Sequence, residues 1–310
     1  MGLSLAITLA SFAAPEPPQR IPVVVTTDCG VEVDDQWALV HLALSPKVAL
    51  RAIVTTHAPS FIRPASERSA KAAREIVAKL PPDRRPLVMP GSPIPLSNLD
   101  EPSANDGVDL ILKETRDGTP DRRVVVVVIG AATDVASALL IDPSFADRVE
   151  VVAMGFDGWE KGGDPWNVKN DVKAWQVLLD SRLPLVVGDC AVSKRCLVMS
   201  SPEAHRRLDH CGPLGTTLAD ILDKWLTANP DLAAKATASV GRWPIWDEVT
   251  VAHILGMTEV DVRHRPSLRS DLSLDHSGTR GTVRWIREVD SERLWIDLAE
   301  NIRRADLLGR

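Results

Sequence analysis

The chain reads as an α/β protein, a mainly parallel sheet flanked by helices, on three observations. Short β-branched runs recur at 23–27, 50–56, 123–129 and 149–154, each too short for a helix. Segments with helical spacing of apolar residues separate them, as crossovers between parallel strands require. The run RVVVVVI at 123–129 lacks the alternation of a half-solvated strand, so it belongs inside a sheet covered on both faces.

In chain order, the first strand (23–27) runs into Asp28, Cys29 and Gly30, then Glu32, Asp34 and Asp35. Trp37, Leu39, Val40, Leu42 and Leu44 then follow a helical pattern. A second strand (50–56) ends at His57, and a helix over 67–80 is stopped by Pro81-Pro82. A short strand (87–89) leads into a loop over 90–107, long enough to be either functional or disordered. A helix over 107–116, the valine strand and a helix through Leu140 come next. A strand over 149–154, a helix over 171–180 and a strand over 184–187 complete the repeating part. The C-terminal part adds helices at 202–208, 214–228 and 247–255, β-like runs at 260–264 and 282–289, and a last helix from Glu292. No internal repeat interrupts this series, so residues 21–310 are expected to form one domain.

Apolar residues at 45% and charged residues at 25% are those of an ordinary soluble protein. A net charge of −6 argues against nucleic acid and against an anionic membrane surface as partners. A homo-oligomer is left open. Nine Trp accompany no Tyr. Trp159, Trp166, Trp243 and Trp246 lie near Gly/Pro stretches where rings could line a pocket, and the others are expected in the core. Residues 1–14 are small and apolar and precede PEPPQR, so residues 1–20 read as a signal peptide or leader, without the basic start of the former. The stretch is too short to span a bilayer. Export to a periplasm or the exterior is the expectation, or a cytoplasmic protein if the leader is not a signal. Among four Cys, Cys190 and Cys196 are the expected bridge in an oxidising compartment, and no spacing suggests zinc.

The turn after the first strand carries the chemistry. In an open α/β sheet, ligands bind outside the carboxyl ends of the strands, and here Asp28, Glu32, Asp34 and Asp35 crowd that end. Helix amides offset only about 0.3–1 kcal/mol per exposed carboxylate. A hard divalent cation offsets far more and prefers such oxygens. The competing reading is a capped helix whose acids face water, with Asp34 as the cap.

Thr26 to Asp35 (TTDCGVEVDD) resembles the signature Asp-x-Asp-Pro-Gly-x-Asp-Asp of the calcium-dependent nucleoside hydrolases, the inosine/uridine-preferring superfamily. Thr26 replaces the first Asp, Cys29 replaces the Pro, and two extra residues precede the paired acids. The resemblance extends along the chain as a divergent branch. It implies that Asp28 is both a metal ligand and the general base, that Asp35 is a metal ligand, and that Asp34 holds a ribose hydroxyl. Ile129-Gly130-Ala131-Ala132-Thr133-Asp134 resembles the family's Thr-Gly-Gly-x-Thr-Asn, where the first carbonyl binds the metal, which points to Ile129. Met154-Gly155 with Trp166-Asn167 and Asp171 resembles Met-Gly-Gly and Glu-Phe-Asn-x-x-x-Asp. Asn167 is then a ribose-binding amide. The family Glu falls on Pro165, and Asp164 beside it is the substitute for substrate binding. Trp246-Asp247 stands where the family has His-Asp, so Asp247 would complete the metal sphere and Trp246 would replace the leaving-group acid. His57, with Ser60, follows the second strand where the family contacts ribose.

The resemblance implies Ca2+ as cofactor and hydrolysis of the N-glycosidic bond of ribonucleosides. An indole can stack on a purine but cannot cycle a proton at neutral pH, which favours purine-type substrates. Two other readings stand beside it. A metal-dependent phosphohydrolase would want a phosphate loop, and no Gly-x-x-x-x-Gly-Lys-Ser/Thr motif is present. A non-catalytic nucleoside- or sugar-binding protein would need neither the missing Glu nor the missing His.

Overall fold

The computed structural model describes residues 19–58, 65–164, 166–278 and 280–309. Most of the leader, Ser60 and Pro165 lie outside them. The first six strands are β1 (Ile21–Thr27), β2 (Val48–Thr55), β3 (Leu87–Pro90), β4 (Val124–Ile129), β5 (Val149–Met154) and β6 (Leu185–Gly188). They are followed by β7 (Val198–Ser200), β8 (Arg242–Pro244), β9 (Thr258–His264), β10 (Ser267–Leu268), β11 (Leu274–Asp275) and β12 (Thr282–Val289).

Eight strands form one sheet in the order β3-β2-β1-β4-β5-β6-β12-β9, every neighbouring pair parallel except β12 with β9. The two late β-like runs thus extend the same sheet as an antiparallel edge. The α/β expectation holds, with the sheet covered on both sides. Val23, Val25, Val127 and Ile129 face one apolar cluster, while Val24, Val126 and Val128 face the other. Each fully buried Val or Ile contributes roughly 1.5–3 kcal/mol by leaving water, which is why β4 tolerates no polar residue.

The chain leaves β1 towards β2 and β3 on one side, and returns to β4, β5 and β6 on the other. Strand order therefore reverses between β1 and β4, and a crevice opens at their carboxyl ends. Thr27 of β1 is paired with Ile129 of β4 at that point. The backbones then come so close that a Cβ on Gly130 would lie 2.7 Å from the Asp28 nitrogen and 2.6 Å from Thr56 Oγ1. Only glycine fits there.

Sequence patterning missed the short elements, including the helices Cys190–Cys196 and Pro230–Thr237 and the ribbon of β7 with β8. The expected Cys190–Cys196 bridge is corrected: all four Cys are free. These two cap opposite ends of one helix, about 9 Å apart along its axis at 1.5 Å per residue, beyond disulfide reach.

Candidate active site

Gly30 makes the turn after β1 at φ +88°, a conformation that suits glycine. The Cys29 amide donates to Thr27 Oγ1 at 3.1 Å, and the Thr27 hydroxyl in turn donates to Asp35 Oδ1. Helix Asp34–Leu44 then begins directly with the two acids, and Val33 rather than Asp34 stands at its cap, without a side-chain bond. Asp34 is thus not spent on capping. Nor is Asp247, which stands at the cap of helix Glu248–Ile254 with no side-chain cap bond. The capped-helix reading fails at both positions.

The carboxylates of Asp34, Asp35 and Asp247 lie within 4.8 Å of one another, all buried. Asp34 and Asp247 are 213 positions apart in the chain, so the fold, not local sequence, assembles the group. Asp28, Glu32, Asp34, Asp35, Ile129, Asp164, Asn167, Trp246 and Asp247 all line one cavity of about 210 Å³. Of the residues that the sequence picked out, His57 stands apart from that lining. It is buried, with Nε2 2.9 Å from Thr133 Oγ1, whose hydroxyl donates to Asp171 Oδ2 at 2.6 Å. Asp34, assigned above to ribose, belongs to the tight triplet, while Asp28 stands beside it.

Electrostatics mark the cluster as incomplete. Burial, then the Asp34 charge, pushes the Asp28 carboxyl up to about 8. Burial likewise raises Asp34 to about 7, against backbone hydrogen bonds at Asp34, Asp247 and Asp35 that favour its ionised form. Asp35, Glu32 and Asp247 are also raised well above the carboxylate range, first by burial. The charges acting on Asp247 are Asp34, Asp35, Asp28 and Glu32, all of its own sign. Oxygen-only donors, buried, converging and lacking a cation from the chain, fit a hard divalent ion.

The remaining wall has a different character. Asp164 (φ +87°) accepts the Trp166 amide at 2.8 Å and the Val168 amide at 3.1 Å on its two oxygens, while burial raises it to about 6. Asn167 Nδ2 donates to the Met154 carbonyl at 3.1 Å, which fixes the amide plane. The Trp246 ring meets Trp243 edge-on at 5.6 Å, with Lys194 Nζ 5.7 Å from its centroid. Glu32 lines the same cavity as the Trp246 ring. Trp166, Trp243, Lys194, Lys235, Leu232 and Cys190 complete this wall. Of the four Trp picked out by their Gly/Pro context, three line the cavity, whereas Trp159 packs on His276 and Trp285. Lys194 and Lys235 were missed, because a lone Lys on a helix normally reads as a solvated surface charge.

A parallel sheet whose switch point gathers convergent acids beside aromatic rings offers a site for a small polar molecule with an aromatic part. A family model described as inosine-uridine preferring nucleoside hydrolase matches residues 23–296, and the chain belongs to that family. It is an N-ribosyl nucleoside hydrolase, acting on small nucleosides. The pyrimidine-specific ribonucleoside hydrolase RihA of Enterobacter sp. (strain 638) is 25% identical over 227 residues, 66% of this chain and 70% of RihA. Among solved structures, the purine-preferring ribonucleoside hydrolase from Gardnerella vaginalis is similar in fold, with a TM-score of 0.75 at 19% identity, covering 92% of this chain and 99% of that one. An inosine-guanosine nucleoside hydrolase gives 0.71 at 16% identity, with the same coverage.

Proposed function

We propose that the chain is a calcium-dependent ribonucleoside hydrolase that prefers purine ribosides. The observation that carries this reading is the convergence of Asp34, Asp35 and Asp247 in one cavity that Trp166, Trp243 and Trp246 also line. Those three carboxylates, with the Ile129 carbonyl at the end of β4, would hold the ion. A bound divalent cation supplies positive charge to the acid cluster and lowers the pKa of a water beside the ribose.

Asp28 is the base that takes the proton of the attacking water, since it opens into the cavity next to the triplet without being consumed by a cap. Asn167, held by its bond to the Met154 carbonyl, presents its remaining amide oxygen to a ribose hydroxyl. Asp164 spends both oxygens on the amides of Trp166 and Val168, so its part is to shape the loop that carries Asn167. Hydrolysis passes through an oxocarbenium-like state, and the departing base must also be stabilised. No His lines the cavity among the described residues. Trp246 therefore stacks on the base instead of protonating it, since a neutral indole cannot cycle a proton at neutral pH. A purine offers more area to an indole than a pyrimidine does, and purine preference follows.

The test is a panel of inosine, guanosine, adenosine, uridine and cytidine, with released base read by chromatography, in calcium and after chelation. Faster release from purine ribosides, lost on chelation and restored by calcium, is expected. Faster turnover of uridine and cytidine would overturn the purine assignment, and activity indifferent to chelation would overturn the cation.

A further inference from the structure

The two helices that bring the acids together are also joined by a second set of contacts lower down. His41 lies in helix Asp34–Leu44, two turns past Asp34, and is fully buried. Its Nδ1 is 2.8 Å from Glu248 Oε2 and its Nε2 is 3.1 Å from Asp297 Oδ2. Glu248 is the neighbour of Asp247 and the first residue of the helix that follows it. Asp297 lies in the last helix, Ser291–Gly309, where Asn301 Nδ2 donates to its Oδ2 at 2.6 Å.

Both ring nitrogens face carboxylate oxygens, so the ring can donate on both sides only as an imidazolium. Burial works against that charge, but Glu248 and then Asp297 overcome it and raise the pKa to about 9. The Glu248 side of the ring thus connects the helix that presents Asp34 and Asp35 to the helix that presents Asp247. The Asp297 side reaches an element that contributes nothing to the cavity.

We propose that His41 is a positioning residue of the metal site, a clamp through Glu248 that holds Asp34 and Asp35 at ligand spacing from Asp247. This rests on the cation reading above. Without the clamp, the two helices could shift against each other in the cation-free protein, and each binding event would have to bring Asp34 and Asp35 back to Asp247. The geometry also supplies a control, since one ring carries two arms and only one of them joins the ligand-bearing helices.

The experiment is calcium titration of the full chain by calorimetry, supported by indole-sensitised terbium luminescence, on wild type, His41→Gln, Glu248→Gln and Asp297→Asn. His41→Gln and Glu248→Gln should weaken calcium binding about 10- to 100-fold, the usual cost of losing a partner behind a ligand. The nucleoside KM at saturating calcium should stay unchanged. Asp297→Asn should lower Tm and leave calcium affinity as in wild type. If His41→Gln does not fold, Glu248→Gln decides alone, because it nearly keeps the shape of the arm and removes the carboxylate charge that draws the buried ring. Wild-type calcium binding with unchanged affinity in Glu248→Gln would overturn the clamp, and so would an equal loss in Asp297→Asn. A wild type that binds neither calcium nor terbium would overturn the cation reading and the clamp with it.

Discussion

Two acidic clusters meet at the helices Asp34–Leu44 and Glu248–Ile254, one of them drawing Asp297 from the last helix, and the chain treats them in opposite ways. Around His41, the carboxylates of Glu248 and Asp297 receive a cation from the sequence itself, and that arrangement is closed to solvent on the Glu248 side. At the helix starts, Asp34, Asp35 and Asp247 receive none, and they open into a cavity. Without a cation, buried carboxyls hold on to protons instead, so the second arrangement carries its full charge only once a ligand completes it. The contrast separates a charge that holds structure from a charge left for a ligand to complete.

The largest effect expected is at the edge of the open cluster. Asp28→Asn keeps the shape and removes the proton acceptor, and it should lower kcat by at least about two orders of magnitude, the scale of lost acid–base help. Calcium affinity should change far less than kcat. Single-turnover assays on inosine, paired with calcium titration, would check both. Near-wild-type turnover would place the base elsewhere and leave Asp28 as one more member of the cluster.

Next in size is the triplet itself. Asp34→Asn and Asp247→Asn should each weaken calcium binding by more than Asp28→Asn does, because Asp28 lies outside the group within 4.8 Å. The sequence resemblance implied the reverse for Asp34, a ribose contact with the ion left in place. A raised KM for inosine with unchanged calcium affinity would return Asp34 to that role.

The open cluster was legible in the sequence largely because strand, turn and helix start are contiguous there. Asp28, Asp34 and Asp35 fall within eight residues, after a run too hydrophobic to be anything but a buried strand. The parallel sheet was legible for the same reason, since β4 carries its burial in five consecutive valines. Asp247 was reached only through the resemblance, because alone it is indistinguishable from a helix cap. The closed cluster was invisible. His41, Glu248 and Asp297 are spaced over more than 250 positions, and each reads as a polar residue on an amphipathic helix. Nor could spacing reveal that Asp164 spends its oxygens on neighbouring amides, or that His57 turns to Thr133 instead of the cavity. Those outcomes depend on backbone angles and on which loops meet.

The aromatic lining of the cavity gives a smaller effect. Trp246→Ala should cost about 1–3 kcal/mol in binding of the base if stacking is its role, seen as a raised KM for inosine with less change for uridine. Equal losses on both, with a lowered Tm, would instead make Trp246 a packing residue beside Trp243. Glu32→Gln, which alters another lining residue and leaves the ring in place, serves as the control and should not reproduce the base selectivity.

The smallest effect expected is the pH signature of the closed cluster. His41 titrates near 9 in the fold against an ordinary 6.5, so below pH 6.5 the ring is protonated in both states and its stabilisation is complete. Between pH 6.5 and 9 the folded chain keeps a proton that the unfolded chain has released. The folded state then binds more protons, and stability must fall as pH rises. Above 9 the contribution is gone. With calcium saturating, the open cluster is ionised alike in wild type and in His41→Gln, and its titration cancels in their difference. The Tm gap between the two proteins should therefore be widest near pH 6 and close by a few degrees towards pH 9, each kcal/mol moving Tm by about 2–4 °C at this chain size. A gap that stays flat across that range would mean that the buried ring is neutral, with one of its two carboxylates carrying the proton instead.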